Sequence, residues 1–440
     1  LIIMTSNLGA EYLVNQREGE DSDAVRDEVM AVVRSHFRPE FLNRIDEVIE
    51  AYRDERGRVR EHPIGTNAYQ LVGPEWKRSS RIVLERFPGY REEAMPLADG
   101  PSPTLRVPQI DRVEVQILEE PLPRMLAFQS GELDQIDVPR SLHERVFDGA
   151  TLKAEYASRG IRHQRRMEPS LQFQYFNMSD PVIGGMALEK IALRRAILMG
   201  YNSPRERDTI YKGQAEFATQ LLPPTQNGYQ KGLNLRPPYD PPLARALLDR
   251  FGYKDCDGDG YREMPDGSPL VLRSNSTPTE KDRTVDEVWR KSMDAIGIRF
   301  EVNKGKWPDL LKQAQSSKLM MWFLAYSAST PDAKSTFDNL YGPNCGLKGN
   351  LSCFQVDEFD RLFKQMEVLP HGPERTKIFQ QMTRIFATYA PWKLNMHRIM
   401  VDMWYPYVIG FRRPLIQTEN WWRFADIDLE AKKKYLESRG

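Results

Sequence analysis

An α/β fold is what this chain predicts, and three observations carry the prediction. From about His62 onward, short apolar runs alternate with stretches of helical periodicity. Hydrophobic residues make up 40% and charged residues 28%, the balance of a globular protein with ordinary cores. No apolar run approaches the roughly 20 residues needed to cross a membrane as a helix. At 440 residues the chain carries a prior of two or three domains and can bury a core without disulfide or metal staples. Lysine plus arginine equals aspartate plus glutamate at 62 each, which argues against nucleic acid or an anionic membrane as partner. Either would require a basic excess on one face.

Taken in order, Leu1 to Met4 reads as the end of a buried strand, followed by a turn at Asn7-Leu8-Gly9. Residues 28–37 place Val29, Val32, Val33 and Phe37 close to helical spacing, and Pro39 opens a short helix through Asn43. Residues 51–61 then change character. Arg53, Asp54, Glu55, Arg56, Arg58, Arg60 and Glu61 form a polar linker without apolar period. The start, Leu-Ile-Ile-Met, lacks an initiator Met and an export signal, so the expectation is missing upstream residues or a beginning within a domain.

Beyond the linker, strands are predicted at 68–72, 81–86, 113–118, 173–177, 298–302 and 319–326. Helices are predicted at 123–131, 188–200, 241–251, 285–296, 307–316, 356–366 and 373–390. This alternation, with no repeat of 20 to 50 residues, is the basis for α/β rather than a bundle or sandwich.

Two resemblances follow from motifs. Residues 3–10 (Ile-Met-Thr-Ser-Asn-Leu-Gly-Ala) and 37–47 (Phe-Arg-Pro-Glu-Phe-Leu-Asn-Arg-Ile-Asp-Glu) resemble the second ATPase module of Clp-type AAA+ disaggregases. That resemblance implies a γ-phosphate sensor at Asn7 and an arginine finger at Arg44, where a guanidinium would stabilise a transferring phosphoryl group. No G-x-x-x-x-G-K-[ST] phosphate loop occurs, so residues 1–50 read as a remnant with nothing for Asn7 and Arg44 to act on.

The remainder, from about His62, resembles the family 5 extracellular solute-binding proteins, the oligopeptide- and dipeptide-binding components of ABC importers. The landmarks occur in order: Ile64-Gly-Thr-Asn-Ala-Tyr69, Arg124-Met-Leu-Ala-Phe-Gln-Ser-Gly-Glu132, Tyr175-Phe-Asn-Met178, Leu193-Arg-Arg-Ala-Ile197, Tyr239-Asp-Pro241 with Ala246-Leu-Leu248, and the strand Met321–Ala325 leading into Tyr326-Ser-Ala-Ser-Thr-Pro-Asp332. The resemblance implies a two-lobed, periplasmic-binding-protein-like (type II) α/β fold, N-terminally truncated. A partial first lobe would span 62–235, a second lobe 236–400, and a return to the first lobe 401–440. It implies a periplasmic or extracytoplasmic protein, monomeric and without cofactor, that binds a peptide or other small solute and docks on a membrane permease.

The implied ligand positions are Trp307, opening a helix; Tyr326 and Ser327, at a strand end where open α/β sheets place ligands; and Asn177, whose amide can pair with a peptide backbone in both senses. The family's carboxylate for a peptide α-ammonium falls at Ser329, a neutral hydroxyl that cannot make a charge-assisted bond. Asp332 is the nearest substitute, with turn capping as its alternative role. Cys345 and Cys353 bracket a glycine-containing loop, and the resemblance implies a disulfide there in an oxidising compartment.

Asp255, Asp257, Asp259 and Gly260 begin like a calcium loop, but position 12 is Asp266 in place of Glu. The favoured reading is a polar hairpin whose carboxylates bond their own backbone. Six scattered histidines show no metal-ligand spacing, and no G-x-S-x-G elbow occurs. Trp404, Trp421 and Trp422 read as packing of the returning chain. Three readings stand: a non-enzymatic binding component of an importer, a fragment of an ATP-dependent disaggregase, and a non-functional fusion of two truncated genes.

Overall fold

The computed structural model describes residues 67–77, 80–91, 93–96, 104–328, 330–414 and 418–438. The linker, the motifs around Asn7 and Arg44, and Ser329 lie outside the described residues. The chain divides into two compact units. The first holds an antiparallel sheet of β1 (Tyr69–Leu71), β2 (Arg81–Arg86) and β3 (Arg112–Gln116), with Leu71 opposite Leu84 and Leu84 opposite Val113.

The second unit contains two larger sheets. One is built on the long strand β12 (Met396–Trp404), which pairs antiparallel with β4 (Gln135–Asp137), β5 (Arg162–Met167) and β7 (Ala215–Phe217). Its core gathers Phe128 from α1 (Pro121–Ser130), Ile136, Val401, Met403, Tyr405 and Tyr407, with Tyr435 from α10 (Leu429–Glu437) against it. Trp404 stacks on Phe411, and Phe411 meets Trp421, so these aromatics do pack the returning chain. Asp402, fully buried on β12, is balanced by Arg413 at 2.8 Å and Arg166 at 3.4 Å, which a buried carboxylate requires.

The other sheet has five strands in the order β9-β8-β10-β6-β11: β9 (Arg299–Lys304), β8 (Val271–Ser276), β10 (Met321–Ser327), β6 (Ser170–Phe176) and β11 (Trp392–Leu394). Strands β8, β9 and β10 run parallel, joined through α5 (Glu280–Asp294) and α6 (Trp307–Gln315); β6 pairs antiparallel with β10, and β11 pairs antiparallel with β6. Helices cover both faces. Leu171, Phe173 and Tyr175 of β6 join a core with α6, α8 (Asp357–Val368) and α9 (Pro373–Tyr389). Phe176 and Met321 join another with α2 (Leu188–Gly200), α4 (Pro241–Arg250) and α5. Gly200 ends α2 where a Cβ would lie 2.6 Å from Ile296 Cδ1, so a larger residue would have to displace that side chain.

The chain passes between the sheets at Pro169 and again at Asn395. Asn395 is fully buried and pinned on three sides. Its amide nitrogen donates to both Glu206 oxygens at 3.0 and 3.1 Å, its oxygen accepts from Lys393 at 2.6 Å, and its N–H donates to the Gln172 carbonyl. Strand β6 and helix α2 fall in the segment assigned from sequence to the first lobe, yet β6 is part of the five-stranded sheet and α2 packs on it; β12 begins two residues after Leu394, the end of β11. The predicted helix at 285–296 starts earlier, at Glu280, because Thr279 accepts a capping bond from the Asp282 N–H.

Two covalent and ionic ties fix the segment after β10. Cys345 and Cys353 are disulfide-bonded, with a Cα–Cα distance of 4.6 Å and a separation of eight residues. Within their loop the buried Asn350 amide donates to the Tyr341 and Phe354 carbonyls. Asp332 forms a two-pronged ion pair with Arg375 of α9, both bonds 3.1 Å, and accepts from the Lys334 N–H at 2.9 Å. Burial raises the Asp332 carboxyl, but the Arg375 bonds and charge outweigh it and hold the group below its ordinary value.

Replacing both Cys345 and Cys353 by serine should lower stability by about 2–3 kcal/mol, as loop-closure entropy for so short a loop implies; thermal unfolding under oxidising conditions measures it. Asp332→Ala should cost about 3 kcal/mol, since it strands the buried Arg375 guanidinium. The depressed carboxyl makes this contribution complete above about pH 4 and lost as pH falls through the folded-state pKa. Denaturant titrations of both proteins should therefore converge in acid, and a constant gap down to pH 2 would refute the assignment.

Candidate ligand-binding site

Strands β8 and β10 are parallel, with Ser274 opposite Met321 and Asn275 opposite Trp322, but β8 stops at Ser276 while β10 continues to Ser327. Its other edge is covered throughout by β6, from Phe176 opposite Met321 to Ser170 opposite Ser327. Among the described residues no strand pairs with the β8-facing edge of β10 beyond Trp322. A strand edge is thus left open at the carboxyl end of a parallel sheet, where α/β folds gather ligands.

A cavity of about 320 Å³ opens at this step, lined among others by Gln174, Ser274, Thr277, Lys281, Trp307 and Phe323. Trp307 is the first residue of α6, with Pro308 setting the helical start, and it is 50% exposed. Its ring lies 4.7 Å from that of Trp322, which is only 2% exposed, so a rigid indole is presented from a packed base. Lys281 opens α5 and holds its ammonium 5.2 Å over the Phe323 ring. Burial, together with the charges of Arg140 and Arg398, lowers its pKa.

The cavity floor is polar. Gln174 donates to Ser274 Oγ at 3.2 Å, while its own carbonyl and the Trp289 indole N–H are buried without partners among the described residues. Asp286 accepts from Ser276 Oγ at 2.9 Å and is ion-paired with Lys304, leaving burial to raise its carboxyl. Asp282 is bonded to the N–H and hydroxyl of Thr277. The floor therefore offers donors and acceptors for a ligand's polar atoms, while its nearest carboxylates are already engaged.

The positions named from sequence separate into two groups. Trp307, Tyr326 and Ser327 lie on or beside the protruding end of β10. Ser327 is exposed, on the same face as Phe323 and Ala325, and its hydroxyl accepts from Arg398 of β12 at 3.5 Å. Tyr326 is turned to the opposite face. Its ring meets Phe173 edge-on at 6.2 Å, and its hydroxyl donates to Thr336 Oγ1 at 2.7 Å, which in turn donates to Gln226. Burial raises its pKa.

Asn177 and Asp332 form the second group, whose side chains are bonded within the chain. The Asn177 side chain is buried, donates to the Ser317 carbonyl at 2.9 Å and accepts from the Ser179 N–H at 3.0 Å, so it fastens a turn. Asp332 is paired with Arg375, lies 3.1 Å from His371 Nδ1 and accepts from the Lys334 N–H. In the 255–260 turn, Asp255 accepts from the N–H groups of Gly258 and Gly260, and Asp257 from that of Asp259. Asp259 accepts from the Tyr261 N–H and pairs with Arg299. Asp255 and Asp257 approach Glu263, but the side chains serve the backbone as the hairpin reading expects.

Sequence reasoning passed over Lys281, Gln174 and Trp289. The signal for Lys281 was its place just after the Thr279 cap; Gln174 and Trp289 carried none, because only the fold brings them to one cavity.

The model of the bacterial extracellular solute-binding proteins, family 5, middle region, matches residues 5–347. The di/tripeptide-binding protein 2 of Pseudomonas aeruginosa is 24% identical over 372 residues, 80% of this chain and 60% of that protein. The chaperone protein ClpB of Rhodopseudomonas palustris is 66% identical over 62 residues, 13% of this chain and 7% of that protein, and the N-terminal segment is thus a ClpB-like AAA+ piece. The chain therefore spans about three fifths of the first relative and a small fraction of the second. Among solved structures, NikA from Brucella suis in complex with Fe(III)-EDTA superposes with a TM-score of 0.67 at 18% identity, covering 85% of this chain and 70% of that one. The oligopeptide-binding protein AppA from Bacillus subtilis, in complex with a nonapeptide, gives 0.65 at 17%, covering 83% and 67%. The fold is that of the type II periplasmic binding proteins, and the chain belongs to the family 5 bacterial extracellular solute-binding proteins.

Proposed function

We propose that this chain is the substrate-binding component of an ABC importer. It captures a peptide or peptide-like solute without chemical turnover, outside the cytoplasm, and delivers it as a monomer to a membrane permease. The observation that carries the reading is the open edge of β10 from Phe323 to Ser327, lying past the end of β8. An extended peptide adds to such an edge through its own backbone groups, which bind without regard to sequence, while flanking pockets read side chains. Trp307 supplies a half-exposed indole beside the edge, and the Gln174–Ser274 floor supplies polar contacts. Relatives described as binding di/tripeptides and a nonapeptide support the same class of ligand. The anchor differs: with Ser329 in the sequence and Asp332 already ion-paired, recognition rests on backbone pairing and stacking more than on a free α-ammonium.

Calorimetric titration of the whole chain with short peptides tests this. Trp307→Ala should weaken binding by about 2 kcal/mol, roughly thirtyfold, with the far-ultraviolet dichroism unchanged because the ring is half exposed. Methylating one edge-facing backbone nitrogen of the peptide should cost about 1 kcal/mol, roughly fivefold. Acetylating the peptide's N-terminus should change affinity by less than about threefold, since Asp282, Asp286 and Asp332 are already engaged. A free-amine preference above about tenfold would sink that last claim, and saturable ATP binding without peptide binding would favour the disaggregase reading.

A further inference from the structure

Away from the open strand edge, a larger cavity of about 790 Å³ lies between α2, α4, the end of α9 and β11. Its wall is largely aliphatic, with Leu198, Leu221 and Leu247 among the lining residues and the exposed Leu188 beside them. Three guanidinium side chains, Arg195, Arg236 and Arg384, share this wall, and among the described residues no aspartate or glutamate lines it. Arg195 donates to the Thr388 carbonyl at 3.2 Å, and the Thr388 hydroxyl donates to the Arg384 carbonyl, so these two arginines flank one turn of α9. Arg236 stacks over Phe217 at 4.2 Å. The acidic group acting on it, Glu206, is already held by the Asn395 amide. Lys393 contributes to the wall, but its ammonium is turned to Asn395. The Trp392 indole N–H, also in the wall, is buried without an acceptor among the described residues.

An apolar cavity of this volume is of ligand size. Unmatched guanidinium groups in it select an anionic head, because charge-assisted bonds to a carboxylate are about twice as strong as neutral ones. A neutral or cationic chain would leave those groups without a counter-charge. We propose that this cavity is a second binding site, for a monomeric aliphatic carboxylate whose hydrocarbon chain packs on the leucine wall and whose head is held by Arg195, Arg236 and Arg384. None of the residues presented at the open edge of β10 belongs to it, so the proposal stands apart from peptide capture.

The probe is sodium decanoate, titrated calorimetrically into the whole chain, with decanol and decyltrimethylammonium as matched comparators. Saturable decanoate binding is expected, with each comparator at least roughly tenfold weaker. The double variant Arg195→Gln/Arg384→Gln, at two exposed positions, should weaken decanoate at least roughly tenfold and leave peptide binding unchanged. The comparator series uses the unaltered chain and decides the matter even if the variant misfolds. Equal affinity for the cationic comparator, no saturable decanoate binding, or binding only to phosphatidylglycerol vesicles would overturn the proposal.

Discussion

Seven consecutive residues of β6 pair antiparallel with seven of β10, Ser170 through Phe176 against Ser327 through Met321. This register does more than join two strands. Every residue of β6 is buried, and alternate side chains serve different surroundings: Leu171, Phe173 and Tyr175 enter one core, while Gln172, Gln174 and Phe176 face the other way. A slip of one residue would exchange these sets, placing two glutamines among leucines and phenylalanines. The same register holds β10 out beyond the end of β8, because the bonding that supports its last five residues comes from β6 alone.

The candidate site is a consequence of that overhang. Parallel strands β8 and β9 deliver the chain into α5 and α6 at their carboxyl ends, so Lys281 and Trp307 stand at helix starts beside the same open edge. Backbone geometry thus gathers a cation, an indole and an unpaired strand edge without any of them being close in sequence. The carboxylates nearby are already partnered: Asp286 by Lys304, Asp282 by Thr277 and Asp332 by Arg375. The cavity thus presents the Gln174 carbonyl and the Trp289 indole N–H without partners among the described residues, while these three carboxylates are engaged.

Elements with a clean apolar period were legible. Helix α2 was predicted at the bounds it adopts, and the strands at 81–86 and 319–326 came within a residue or two. Strands β5, β8 and β12 were not foreseen, because their sequences are rich in polar residues: Arg-His-Gln-Arg-Arg-Met, Val-Leu-Arg-Ser-Asn-Ser, and Met-His-Arg-Ile-Met-Val-Asp-Met-Trp. In the folded chain several of those groups find partners on other segments, though His397 Nε2 and Arg166 Nη1 stay buried without one among the described residues. His397 bonds the Ser170 carbonyl, and Asp402 is flanked by Arg166 and Arg413. A periodicity of apolar residues cannot register burial that is compensated by partners more than two hundred residues away.

The sequence by itself determined the α/β class, the family, the ClpB-like start and the cysteine pair, since each is carried by local pattern or ordered motif. Only the tertiary structure decided which polar side chains were free. The Asn177 amide bonds Ser317, the Tyr326 hydroxyl bonds Thr336 and the Asp332 carboxylate bonds Arg375, partners that the residue types did not announce. Lys281 and Gln174 gained their place from strand register and helix position. A side chain's chemistry is written in its identity, but its availability depends on which partner reaches it first, and that is a property of the folded chain.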